Sequence, residues 1–200
     1  MSVTQKEIQS ALRASGIRAG DTLLVHSSLK SMGYVEGGAD AVIDACLEVL
    51  GPDGTLVMPT LIQKNFADAY RTWSLDKPSD VGFITETFRR RRGVLRSDQA
   101  THSVAACGPL AEFLTRDHGR YGRRIGAFGD TPFAVCSPWQ KLYDLNAQVL
   151  LLGVTMQSNT CKHLTEYQLV DQLLARVADD GERAALAARL RSHERYYDPD

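Results

Sequence analysis

The sequence predicts an α/β fold, and three observations carry that expectation. "DTLLVHSSL" (residues 21–29) is an aliphatic run that breaks at polar turn residues, and "GGADAVIDACLEVLG" (37–51) follows with apolar residues at helical spacing before a stopping glycine. "GTLVMPT" (54–60) is a second aliphatic run closed by proline, so strand, helix and strand form a βαβ unit with a right-handed parallel crossover. Third, "QVLLLGV" (148–154) is continuously aliphatic, the pattern of a strand covered on both faces.

The remaining elements fall around these. "MSVTQKEIQSALRASGIRAGD" (1–21) has the cap and spacing of an amphipathic helix rather than a basic segment ahead of an apolar core, and no stretch is long enough for a membrane span. Residues 63–80 lose periodicity, as a long loop does, before "GFITETFRRRRG" (82–93) resumes as a helix. "SVAACG" (103–108) is a short strand, 109–118 a further helix, and the Gly- and Pro-rich stretch 120–140 an ordered loop. "TMQSNT" (155–160) is a βα turn in which Asn159 or Thr160 can cap a helix starting near Cys161, and 179–200 is a polar helix ending in a Pro-containing stub.

Composition bounds the function. Two hundred residues, 44% hydrophobic and 24% charged, supply one sizeable core, and residues 1–200 are expected to form a single domain. A net charge of -1 provides no attraction to nucleic acid, and the run Arg89 to Arg92 is too short to supply one; it is expected at the solvated end of a helix. Cys46, Cys107, Cys136 and Cys161 lie far apart with no CxxC pair, which removes zinc-ribbon and thioredoxin readings and leaves mostly small buried hydrophobes. The cytoplasm is the default compartment.

In open α/β sheets, ligands bind beyond the carboxyl ends of the strands. Three strand ends here carry polar groups: His26-Ser27-Ser28, Pro59-Thr60, and Thr155 through Thr160. Parallel strands would open all three onto one edge, with His163 facing the same crevice. In "NTCKHLTEYQ", His163 and Glu166 stand three apart on one helical face. A carboxylate there can fix the imidazole tautomer and stabilise the imidazolium, as a general base requires, although the same spacing also describes a solvated surface pair. No metal is expected, since there is no HExxH or cysteine cluster.

The backbone N–H groups and hydroxyls of Ser27, Ser28 and Leu29 could hold phosphate or pantetheine oxygens, whereas His26 itself reads as a histidine closing a strand. His102, with Thr101 and Ser103 beside it, reads equally as a satisfied structural histidine or a ligand contact. Trp139 reads as core or pocket wall, Lys141 as an exposed cation, and His118 and His193 as solvent-exposed. There is no GxSxG elbow and no GxGxxG or Walker loop, and Cys161 and His163 lie two apart on a helix, facing different sides.

Five blocks, "VHSSLKSMGYVEGGADAVIDACLEVLGPDGTLVMPT", "GFITETFRRRRGVLRS", "THSVAACGP", "TPFAVCSPWQKL" and "VLLLGVTMQSNTCKHLTEY", occur in an order that resembles the aminoglycoside 3-N-acetyltransferase family over roughly residues 5–170. The resemblance implies a three-layer α/β/α fold with a mostly parallel central sheet, not the Gcn5-related acetyltransferase fold. Consistently, "RRIGAF" departs at Phe128 from that other superfamily's Q/R-x-x-G-x-G/A loop. It implies acetyl transfer from acetyl-CoA to an amine, most naturally the 3-N position of an aminoglycoside, and with it antibiotic resistance. The implied catalytic residues are His163 and Glu166; the implied cofactor-binding residues are Ser27, Ser28 and Leu29 together with Thr101, His102, Ser103 and Val104. Another small-molecule amine as acceptor, or a CoA-binding module without turnover, are the alternatives. A homodimer is compatible with each.

Two departures stand out. "RSDQATHS" (96–103) has Gln99 and Ala100 where the family commonly has His and Pro, and Ala134 stands where glycine is usual. Family members also usually continue past the HxxE helix with a segment that completes the sheet and helps form the acceptor pocket. A chain lacking it would have a narrower or more open acceptor site. Glu36, Asp76, Asp80 and Glu166 are the acidic candidates for attracting a polycationic acceptor.

Overall fold

The computed structural model describes residues 2–64 and 66–192, with 66 and 67 by backbone alone. Strand β1 (Ser2–Val3) leads into helix α1 (Gln5–Ala14), whose start is set locally. Thr4 accepts a hydrogen bond from the Glu7 backbone N–H while the Glu7 carboxylate accepts from the Thr4 N–H at 2.8 Å, a reciprocal capping box. Thr4→Ala is expected to cost about 1 kcal/mol, read as a lower urea midpoint with an unchanged slope.

Strand β2 (Thr22–Ser27), the short β3 (Tyr34–Val35), helix α2 (Gly38–Leu50) and strand β4 (Thr55–Pro59) follow as the sequence predicts, with β3 unforeseen and paired to β1. Among the described residues the excursion after β4 contains only the four-residue α3 (Phe66–Ala69), and α4 (Phe83–Arg89) then resumes regular structure. Next come β5 (Leu95–Arg96), β6 (Val104–Cys107), α5 (Ala111–Thr115), α6 (Pro138–Asp144), β7 (Gln148–Leu152), α7 (Cys161–Ala175) and α8 (Asp180–Arg191). The C-terminal stub and His193 lie outside the described residues.

The central sheet has the order β5-β6-β4-β2-β7. β2 is parallel to β4 and to β7, with Ser27 opposite Leu152, whereas β6 is antiparallel to both β4 and β5. The sheet is therefore mixed: β2, β4, β5 and β7 share one direction and β6 opposes them. Side chains alternate across a strand, so Leu23 and Val25 enter one core with Ile8, Val42, Ile84 and Phe88, while Leu24 enters the other with Leu114, Trp139, Leu164 and Tyr167. Helices α1, α2 and α4 cover one face and α5, α6 and α7 the other, giving the expected three layers.

Several expectations are corrected. β7 is an edge strand, with Val149 43% exposed, so its aliphatic run is not covered on both faces. The loop 120–140 gives way to α6, which Ser137 caps by accepting from the Gln140 N–H with Pro138 in the first turn. Lys141 is buried and donates to the Phe113 and Arg116 carbonyls at 2.9 and 2.7 Å, closing the end of α5. His118 is buried as well, its Nδ1 2.9 Å from Ser97 Oγ and its Nε2 2.9 Å from the Pro132 carbonyl. In the arginine run, Arg89 pairs with Glu86, and Arg91 with Asp40 and Asp44, so only Arg90 and Arg92 match the solvated reading. Among the described residues no helix is long and apolar enough to cross a membrane, and no group of three or more His, Cys, Asp or Glu is placed to hold a metal ion.

Candidate active site

Because β2, β4 and β7 are parallel, their carboxyl ends meet at one edge of the sheet. β6 runs the other way, so its start reaches that edge: Val104 pairs with Pro59, and Thr101-His102-Ser103 arrive beside the ends of the parallel strands. A cavity of ≈ 660 Å³ opens there, with walls from His26 through Lys30, from Pro59 and Leu61, from Asp80 through Phe83, from His102 and Phe128, and from the turn and first residues of α7 including His163.

His163, which lines the cavity, places Nδ1 2.9 Å from Oε2 of Glu166, a residue that is not itself in the lining. A carboxylate accepts only, so Nδ1 carries a proton, and in the neutral imidazole it is Nε2 that holds the lone pair. The imidazole side chain is 23% exposed and the carboxylate 55%, leaving the pair in contact with solvent for proton exchange. The ring stands edge-on to Phe128 at 4.7 Å, and Phe128 in turn tilts against His102 at 4.8 Å. Tyr167, one turn beyond His163 on α7, donates to the Gly129 carbonyl at 2.7 Å and accepts from the Phe128 N–H at 3.0 Å. One tyrosine thus ties the helix that carries His163 to the loop that packs against it.

His102 is fully buried. Its Nδ1 is 2.8 Å from Thr101 Oγ1, its N–H donates to Gln99 Oε1 at 2.5 Å, and its carbonyl accepts from Trp139 Nε1 at 3.0 Å. Gln99 also accepts from the Thr101 N–H at 2.9 Å, so the residue that departs from the family pattern shapes the turn beneath the site. Thr101, Ser103 and Val104 are fully buried and do not line the cavity; Ser103 Oγ donates to the Thr60 carbonyl at 3.0 Å instead. Ser27, Ser28, Leu29 and His102 do line it. The Ser28 hydroxyl is already engaged, accepting from Ser31 Oγ at 3.0 Å to start the 3-10 turn Leu29–Met32. Of the acidic candidates, Asp80 lines the cavity and accepts from the Gln63 and Lys64 N–H groups, each at 2.8 Å. Glu36 instead accepts from Ser2 Oγ, and Asp76 is not in the lining. Phe128 and Tyr167 were not foreseen; the glycines of "RIGAFGD", which permit a close approach, are the one sequence signal pointing to that loop.

Three buried imidazoles set an acid limit on stability. Burial pushes His26 down to about 4 and His118 down to about 3 from the ordinary 6.5, and holds His102 well below it. All three stay neutral in the fold, whereas the unfolded chain takes up protons once the pH falls below about 6.5. Stability is therefore complete above pH 6.5 and is lost on acidification toward 4 and then 3. A urea midpoint that falls between pH 6 and 4, with about three protons taken up on unfolding, is expected; a flat profile would contradict it.

Residues 24–198 match the family model for aminoglycoside 3-N-acetyltransferases. The chain belongs to that family. It is 35% identical over 180 residues to aminoglycoside N(3)-acetyltransferase III of Salmonella sp, covering 82% of this chain and 60% of that protein. It is 34% identical over 187 residues to the SPbeta prophage-derived aminoglycoside N(3')-acetyltransferase-like protein YokD of Bacillus subtilis, covering 83% and 65%. The family member AAC(3)-IVa, solved as the apoenzyme, superposes with a TM-score of 0.72 at 32% identity, covering 86% of this chain and 62% of that one. A histidine-to-alanine mutant of AAC(3)-IVa in complex with a gentamicin matches at 0.69 and 32%, covering 84% and 61%. The chain thus spans 60–65% of the length of these curated relatives.

Proposed function

We propose that this chain is an acetyl-CoA-dependent N-acetyltransferase acting on an amine of an aminoglycoside at the 3-N position, with His163 as general base and Glu166 as its support. The observation that carries this reading is His163, held at 2.9 Å by Glu166, lining the same cavity as the Ser27-Ser28-Leu29 turn. The residues present suit the reactive end of an acyl-CoA: Ser27 Oγ and His26 Nε2, on residues that line the cavity, are buried without a partner among the described residues, so a polar ligand would satisfy them. Acetyl-CoA is the acyl-donor substrate, whose thioester supplies the activated carbonyl. An ammonium has no lone pair, so His163 Nε2 takes the proton that the amine nitrogen must lose. The C–N bond then forms as the carbonyl electron pair moves onto oxygen, and the C–S bond breaks as that pair returns; of the two protons nitrogen gives up, one passes through His163 to solvent and the other to the departing thiolate, which leaves as the free thiol. Glu166 stabilises the imidazolium while the proton resides on His163. Asp80 adds a negative charge to the wall, which suits a polycationic acceptor.

The test is release of free thiol from acetyl-CoA in the presence of aminoglycosides and of simple amines. Turnover with aminoglycosides supports the reading. Turnover only with other amines moves the acceptor class, and CoA binding without thiol release leaves a binding module.

A further inference from the structure

We infer that His26 donates a hydrogen bond to the acyl carbonyl of the donor, an inference that rests on the acetyl-transfer reading of this cavity. His26, the penultimate residue of β2, lies opposite Leu151 of β7 on the same sheet face as Leu24, and the residue lines the cavity although it is only 5% exposed. Its Nε2 is sealed from water and has no partner among the described residues, and the neighbouring Ser27 Oγ is in the same condition. Buried polar groups are almost always hydrogen-bonded, and the other two buried imidazoles obey that rule: His118 is bonded through both nitrogens and His102 through Thr101. An imidazole serving only to fill space would be better replaced by leucine, because a sealed, unmatched nitrogen costs free energy. Two adjacent orphans at one strand end, both on the cavity wall, point to a partner that the ligand brings.

The chemistry selects which part of the ligand. Burial keeps His26 neutral at neutral pH, so it cannot take the amine's proton, which falls to His163. A neutral imidazole carries one N–H. The acceptor's amines arrive as donors, whereas the thioester carbonyl oxygen accepts and gains negative charge as the nitrogen adds. The carbonyl electron pair moves onto oxygen as the C–N bond forms and returns as the C–S bond breaks; the His26 N–H is bonded throughout and is not transferred.

The test compares acetyl-CoA with CoA, which lacks the carbonyl, by calorimetry on wild type, His26→Leu, His26→Asn and His26→Gln. His26→Leu is expected to weaken acetyl-CoA by about three- to tenfold and to leave CoA within about twofold. It should lower kcat in the thiol assay by about 10²–10³-fold while the thermal midpoint without ligand stays level or rises. Asn presents an amide N–H near the Nδ1 position and Gln near Nε2, and one of the two should regain at least about tenfold of the lost kcat. Equal weakening of both ligands, unchanged kcat, or a midpoint lowered in all three variants alongside lost activity would overturn the inference. Wild type that binds neither ligand and releases no thiol removes the acetyl-transfer reading itself, a different result from an active wild type matched by an active His26→Leu.

Discussion

His163→Ala is expected to lower amine acetylation at neutral pH by about 10²–10⁴-fold, because the proton on the attacking nitrogen then has no positioned acceptor. The loss should fall on kcat. His163 contributes no described contact to the Ser27-Ser28-Leu29 turn, so acetyl-CoA affinity is expected to stay within a few-fold. Its partly exposed ring gives up the ring contacts with Phe128 and Phe133 and a solvent-exposed bond to Glu166, so the fold should survive and the defect should be chemical. A pH series separates this from a structural effect: as the acceptor amine loses its proton to solvent, the base becomes dispensable and the gap between wild type and variant narrows. Glu166→Gln keeps the shape and removes the charge. With that carboxylate more than half exposed, water screens part of its effect, and a loss of about tenfold is expected, far less than for a buried triad carboxylate. Free-thiol release rates measured across pH decide both. A His163→Ala protein that turns over like wild type would remove the base from the mechanism.

The parts of this architecture that were legible in the sequence are those decided by short-range pattern. The βαβ unit, the capped first helix and the placing of His163 and Glu166 on one helical turn each follow from spacing and turn chemistry within about fifteen residues. The convergence of strand ends then needs only the assumption of parallel strands, which β2, β4 and β7 meet. What could not be read depends on residues far apart. Nothing local in "VAAC" states which way β6 runs; that is set by how the chain returns from β4 through the long excursion, and it is why a turn preceding a strand reaches the site. His118 sits between Asp117 and Gly119, a polar neighbourhood, yet its burial is decided by Ser97 and the Pro132 carbonyl. Lys141 likewise is drawn in by the open carbonyls at the end of α5. Conversely, the aliphatic run of β7 signals a strand but not its place in the sheet, and here that place is the edge.

The aromatic wall beside His163 depends on a glycine that has no unusual backbone angle, so its necessity is steric. A methyl group at Gly126 would sit 2.2 Å from Cζ of Tyr167 and 2.3 and 2.5 Å from two further ring carbons, closer than packed atoms can approach. Tyr167 has nowhere to go. It is fully buried, its ring lies 4.9 Å from Phe133, and its hydroxyl is held by the Gly129 carbonyl and the Phe128 N–H. Gly126→Ala must therefore displace the ring and break one or both of those bonds, at a cost of about 3 kcal/mol. The same shift moves Phe128 away from the His163 imidazole, so kcat should fall by about 10–100-fold through lost alignment of the base. A double-mutant cycle isolates the cause. In a Tyr167→Leu background the added methyl finds room, and its cost in urea unfolding is expected to drop below about 1 kcal/mol, a coupling of roughly 2 kcal/mol. Additive costs would mean that the methyl meets something other than this ring, and the tie between α7 and the loop would then rest elsewhere.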